Sequence, residues 1–119
     1  MDKINLIEKF SQIDNYWDPR IIGELNNQHV KLVKFNGEFD WHHHDREDEL
    51  FLVIKGSFEM QYRDRTVHVK ENELVIVPHG TEHCPKADTD VYVLLFEPKS
   101  TLNTGNIKSD KTVINPERL

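Results

Sequence analysis

Cysteine is almost absent from this chain: Cys84 is the only one among 119 residues. A single thiol excludes an intramolecular disulfide framework, and nothing in the cysteine usage argues for an oxidising compartment. Long apolar runs are missing as well. The longest, Leu50 to Ile54, falls far short of the ~20 residues that span a bilayer. The first residues, Met1-Asp2-Lys3-Ile4-Asn5, lack the uninterrupted apolar core of a signal peptide. Basic residues are the minority, 15 against 21 acidic ones for a formal charge of −6. No candidate strand or helix carries a basic stripe, which disfavours nucleic acid as a partner. These absences predict a cytoplasmic protein that engages neither nucleic acid nor membrane.

What is present fits one domain, residues 1–119, large enough to bury somewhat over ~60% of its unfolded surface. Ile4, Leu6, Ile7, Phe10 and Ile13 recur at three- and four-residue steps, which predicts an amphipathic helix from Lys3 to Asn15, within an N-terminal segment 1–16, with Asp2 as N-cap. A helix this short must dock on something to persist. After Trp17-Asp18-Pro19 the chain reads as short strands punctuated by turns: Arg20–Glu24, His29–Phe35, Glu38–His42, Glu49–Ile54, Ser57–Arg63, Thr66–Lys70, Leu74–Val77 and Val91–Glu97. Eight strands at this spacing predict an all-β antiparallel barrel or sandwich over residues 20–97. Leu50–Ile54 and Val91–Phe96 are apolar on both faces, so the outer side of at least one needs a cover, either the N-terminal helix or a second copy in a homodimer. Residues 98–119 turn polar and predict an extended C-terminal arm whose Val113-Ile114 pair could add to a partner's sheet edge.

Within this framework Trp41-His42-His43-His44-Asp45-Arg46-Glu47-Asp48-Glu49 concentrates the chemistry. Strand alternation puts His42 and His44 on one face, with Cα atoms roughly 6.6 Å apart, and turns His43 away. Two imidazoles so placed converge on one ion, and a carboxylate follows among Glu47, Asp48 and Glu49. Some forty residues on, Pro78-His79-Gly80-Thr81-Glu82-His83 ends a strand in a tight turn and supplies His83 as a candidate fourth ligand. His29, His68 and His79 read as surface or interface residues, with the His79 turn a candidate for the pocket mouth. Cys84 reads as a small packed residue. Phe51, Val53, Phe58, Met60 and Tyr62 are the candidate pocket lining, an aromatic stripe that in barrels is more often core; Tyr62 and Tyr92 are weaker candidates as proton donors.

Written as a pattern, the first segment is Gly37, four residues, His42-x-His44, four residues, Glu49, six residues, Gly56, and the second is Pro78-x-Gly80-x2-His83. This resembles the two motifs of the cupin family, over roughly Val30 to Phe96. The first spacer is one residue short from Gly37, Asn72 stands where the second motif opens with glycine, and Ala87 stands where it closes with asparagine. None of these departures removes a ligand, and asparagine tolerates the positive φ of a turn glycine. The resemblance implies a jelly-roll barrel (double-stranded β-helix) and assigns His42, His44, Glu49 and His83 to one divalent transition metal: zinc, iron, manganese or nickel. Family spacing selects Glu49 and leaves Glu47 and Asp48 as solvated loop charges.

Three imidazoles and a carboxylate suit transition metals better than calcium or magnesium. Such a site with an open position can polarise an oxygen, acidify a water or, with iron, activate dioxygen. The resemblance therefore implies a metal-dependent enzyme of dioxygenase or isomerase type acting on a small polar metabolite. The alternative is a non-catalytic small-molecule binding or sensor cupin. No organic cofactor is implied, and no catalytic residue apart from the ligands can be named.

Overall fold

In a computed structural model describing residues 2–119, the chain forms one short helix and seven strands; Met1 lies outside the described residues. The strands are β1 (Arg20–Leu25), β2 (Gln28–Glu38), β3 (Glu49–Lys55), β4 (Ser57–Tyr62), β5 (Thr66–Lys70), β6 (Leu74–Val77) and β7 (His83–Pro98). All named pairings are antiparallel, in the order β1-β2-β7-β3-β6, with β4 joined to both β5 and β7. The ladder is not closed, and the architecture is a jelly roll. No helix among the described residues is long and apolar enough to cross a membrane.

Strand β7 is the spine. Its first residues, His83 to Lys86, pair with β4, and Val91 onward lies between β2 and β3. Only its second half was expected as strand. Pro85 and the polar run Lys86 to Asp90 disguise the first half, which the pairing with β4 holds extended. Alternation then sorts the side chains: Val91, Val93 and Leu95 enter the core beside Val33, Phe35 and Phe51.

Two expected elements differ. The helix α1 runs only from Leu6 to Phe10, and its N-cap is Asn5, whose Oδ1 accepts from the Glu8 amide at 3.0 Å, not Asp2. Ile4 and Ile7 stay exposed, while Phe10 and Ile13 are buried against Leu32, so the apolar period continues through a turn after the helix ends. The Glu38–His42 strand does not form. β2 instead continues to Glu38 past an irregularity between Phe35 and Gly37, and His42 makes only an isolated bridge to His83.

Both chain ends wrap the barrel. The helical segment packs with Ile54, Tyr92 and Leu94 on the outer sheet face, the first of the two alternative covers expected for it. The C-terminal arm folds back in turns across the loop holding His42–His44, and its end pairs with β1 through Ile21 N to Glu117 O (2.8 Å) and Leu119 N to Ile21 O (2.9 Å).

Candidate metal centre

The two sequence segments meet through backbone pairing. His42 and His83 exchange hydrogen bonds in both directions, at 3.0 and 2.9 Å, and the Gly80 amide donates to His44 O at 2.7 Å. The turn at Pro78-His79-Gly80, with Gly80 at φ +79°, is thereby tied to the histidine loop. Glu49 enters from the first position of β3. One ligand atom from each of His42, His44, Glu49 and His83 lies within 4.8 Å of the other three, and all four residues are buried.

The donor atoms are arranged for an ion. His42 Nδ1 donates to Asp40 O and His83 Nδ1 to Thr81 O, both at 2.9 Å, which fixes the tautomer that leaves each Nε2 lone pair free. Buried and without a hydrogen-bond partner of good geometry are His44 Nδ1 and Nε2, His83 Nε2 and Glu49 Oε1. Native proteins rarely orphan so many polar atoms in one place, since each costs about 1–3 kcal/mol. A divalent transition metal would satisfy this N3O set, so the residues present fit the group.

Electrostatics point the same way. Burial, reinforced by the nearby His83, lowers the His42 pKa to about 4, so this imidazole is neutral at physiological pH, as a ligand must be. Burial alone would raise the Glu49 carboxyl, but the adjoining His44 and His83 rings outweigh it and hold the group well below the usual carboxylate range. Glu49 Oε1 lies 3.3 Å from His44 Nε2 and 3.7 Å from His83 Nε2.

The neighbouring carboxylates have other tasks. Exposed Asp48 accepts from the His79 amide and approaches His79 Nδ1, both at 2.9 Å, bracing the turn; Glu47 accepts from the Ser100 hydroxyl at 2.8 Å. His43 turns outward to Asp45, as expected. Cys84 is fully buried, its Sγ donating to Phe39 O at 3.3 Å, and burial with the nearby Glu38 and Asp40 pushes its pKa up to about 11. It is a packed residue, not a nucleophile.

Three polar residues behind the site were not anticipated. Lys31 and Glu97 form a buried ion pair at 3.2 Å, and His29, expected near the surface, lies buried opposite Glu97 in the β2–β7 ladder. Burial, together with the Glu49 charge, raises the Glu97 pKa well above the ordinary value. Their signal in the sequence is positional: Glu97 continues the inward set Val91, Val93 and Leu95, and Lys31 continues Val33 and Phe35.

A narrow cavity of about 30 Å³ adjoins the cluster, with His42 and Glu49 in its wall. The rest of its lining includes Trp17, Phe35, Phe39 and Phe51. Only Phe51 belongs to the expected lining. Phe58 and Met60 are core residues at 1% and 0% exposure, and Val53 is equally buried.

An antiparallel jelly roll with three histidines and one glutamate converging on its interior defines a small barrel protein with a potential metal site. The chain belongs to the cupin domain family, whose sequence model matches residues 30–97. It is similar to a cupin-2 domain containing protein of Shewanella frigidimarina, 38% identical over 81% of this chain and 94% of the other, with a TM-score of 0.79. It also resembles the uncharacterized protein YdbB of Bacillus subtilis, 43% identical over 52% of this chain and 56% of that protein. A more distant relative is 3-hydroxyanthranilate 3,4-dioxygenase of Xenopus tropicalis, 26% identical over 79% of this chain and 36% of the enzyme. The chain thus spans only about half or less of the length of these last two proteins.

Proposed function

We propose that this protein is a metal-dependent cupin enzyme of dioxygenase type, acting on a small molecule beside an ion held by His42, His44, Glu49 and His83. The carrying observation is the convergence of four buried ligand atoms, most without another partner, at the wall of a cavity. When bound, iron, or another transition metal such as manganese, nickel or zinc, supplies Lewis acidity at an open position, and iron adds the capacity to activate dioxygen. The chain's own residues hold the imidazoles neutral and oriented, keep the Glu49 carboxylate ionised, and exclude bulk water with an aromatic wall.

Oxygenation is favoured over isomerisation by what the cavity lacks. Moving a proton between carbon atoms needs a positioned acid or base, and apart from His42 and Glu49 no lining residue titrates. Distant similarity to a dioxygenase supports the same choice. The same lining also favours a second reading, a metal-dependent small-molecule binder or sensor without turnover. A cytoplasmic setting accords with the unpaired, buried thiol. We further infer a homodimer, formed through the part of the outer sheet face that α1 leaves uncovered.

Elemental analysis of untagged protein tests the metal. Wild type is expected to carry about one transition-metal ion per chain, and His44→Ala or His83→Ala a small fraction of that. Equal trace amounts in all three would overturn the reading. Oxygen uptake by the iron-loaded protein across a panel of phenols and thiols then separates enzyme from binder.

A further inference from the structure

Along β2 the inward positions run Phe35, Val33, Lys31 and His29, and along β7 they run Val91, Val93, Leu95 and Glu97. Both rows are apolar until they reach the level of Glu49, where they turn polar. In the β2–β7 ladder His29 stands opposite Glu97; in the β7–β3 ladder Leu50 pairs with Phe96, so Glu49 and Glu97 take the next positions on the inner face. Lys31 reaches diagonally to Glu97, Nζ to Oε2 at 3.2 Å, and both side chains are buried. A buried cation, a second carboxylate and the Glu49 carboxylate thus stand in sequence behind the ligand cluster.

Such a layer is a poor way to stabilise a barrel. Desolvating Lys31 and Glu97 offsets most of what their attraction returns, and well-packed apolar residues of similar size commonly do as well or better. Glu97 Oε1 and both ring nitrogens of His29 are also buried without hydrogen-bond partners, a cost that an apolar layer would not carry. What the pair does supply is a fixed charge beside Glu49. The two carboxylates act on each other, since the Glu49 charge helps to raise the Glu97 carboxyl. Glu97, tied back by Lys31, therefore limits where the Glu49 carboxylate can settle.

Resting on the metal reading above, we propose that Lys31 and Glu97 are positioning residues, a buried brace that holds the Glu49 carboxylate toward the three histidines and so sets the geometry of the bound ion. Neither residue touches the ion; both act through Glu49.

Cobalt-loaded full-length protein tests this without turnover, because the visible absorption of cobalt(II) follows its coordination number and geometry. A competitive chelator titration gives the affinity in parallel. For Lys31→Met, charge and bracing have opposite signs: removing a nearby cation would by attraction alone tighten binding, whereas loss of the brace is expected to weaken it about tenfold or more. The double variant Lys31→Met/Glu97→Met removes no net charge and strands none. Metal-free, it is expected to unfold at the wild-type urea concentration or higher. It is nevertheless expected to bind cobalt about 10–100-fold more weakly and with an altered spectrum. Wild-type affinity and spectrum in the double variant would show that the pair only fills the barrel, and would overturn this proposal alone. So would tighter binding by Lys31→Met, or a double variant much less stable than wild type, which would mean that the pair is kept for the fold. Wild type that retains no cobalt would overturn the metal reading and this proposal with it.

Discussion

His42 is the residue at which folding and site chemistry are most directly linked. Burial and the neighbouring His83 lower its pKa from 6.5 to about 4 in the folded chain. Between those values the unfolded chain binds a proton that the folded chain does not, so stability of the metal-free protein falls as pH drops below about 6.5 and levels off below about 4. From pH 7 to pH 5 this group alone contributes a loss of about 2 kcal/mol. Buried His29, also shifted downward, adds in the same direction, whereas Glu49 begins to contribute only as pH falls below its ordinary value of 4.5. Urea unfolding of chelator-treated protein at the two pH values checks this. His42→Gln should reduce the pH-dependent loss by about 2 kcal/mol, and an unchanged difference would mean that His42 is not buried neutral.

The C-terminal arm is the element that most directly braces the histidine loop. The Asn106 side chain accepts from the His43 amide at 2.8 Å, its own amide donates to His43 O at 3.0 Å, and Ser109 donates to Asp40, whose carbonyl fixes the His42 tautomer. Gly105, at φ +57°, lets the two backbones touch: a Cβ there would meet His43 O at 2.2 Å and the His42 ring at 3.1 Å. Gly105→Ala should therefore displace the loop and weaken metal binding by about 10–100-fold in a competitive chelator titration. Gly23→Ala, with nothing within 4 Å of the added Cβ, is the control. Equal metal affinity for both variants would show that the arm does not position the ligands. Little of this arm was legible in the sequence, because its turns and polar side chains gain meaning only from the loop they contact. The cluster itself was legible, through the spacing of His42, His44, Glu49 and His83. The local reason given for it was not the operative one, since His42 to His44 do not lie on a continuous strand. What gathers the side chains is the His42–His83 bridge and the Gly80–His44 hydrogen bond, contacts between segments some forty residues apart. Asn72 did carry its signal locally, taking φ +65° at the turn where the family pattern has glycine. Trp17, Lys31 and Glu97 carried none beyond alternation, because their roles depend on which strands become neighbours.

At the scale of the whole molecule, the outer sheet face decides the state of association. Register places Leu52 between Leu74 and Leu94, and Leu50 between Ile76 and Phe96, so two apolar rows cross β6, β3 and β7. α1 and the turn after it cover only one end, at Leu32, Ile54, Tyr92 and Leu94. Leu74 and Ile76 remain 54% and 55% exposed on β6, which stands at the end of the sheet order. A contiguous apolar face of this kind on a monomer marks an interaction surface, and an uncovered edge strand is a second invitation to pair. A second copy would supply such a complement, since a two-fold axis matches an apolar patch with itself. The net charge of −6 opposes association only weakly at physiological salt, where screening acts within about 8 Å. Sedimentation at micromolar concentration should therefore return a dimer. Ile76→Glu and Leu52→Glu should each return a monomer that still carries metal, because both side chains lie on the face opposite Phe51 and Val77. A wild-type monomer would leave the outer face without its second cover and remove the case for a dimer. Loss of metal on dissociation would instead show that the two faces of this thin sheet are coupled, with barrel packing at Glu49 dependent on what lies against Leu50.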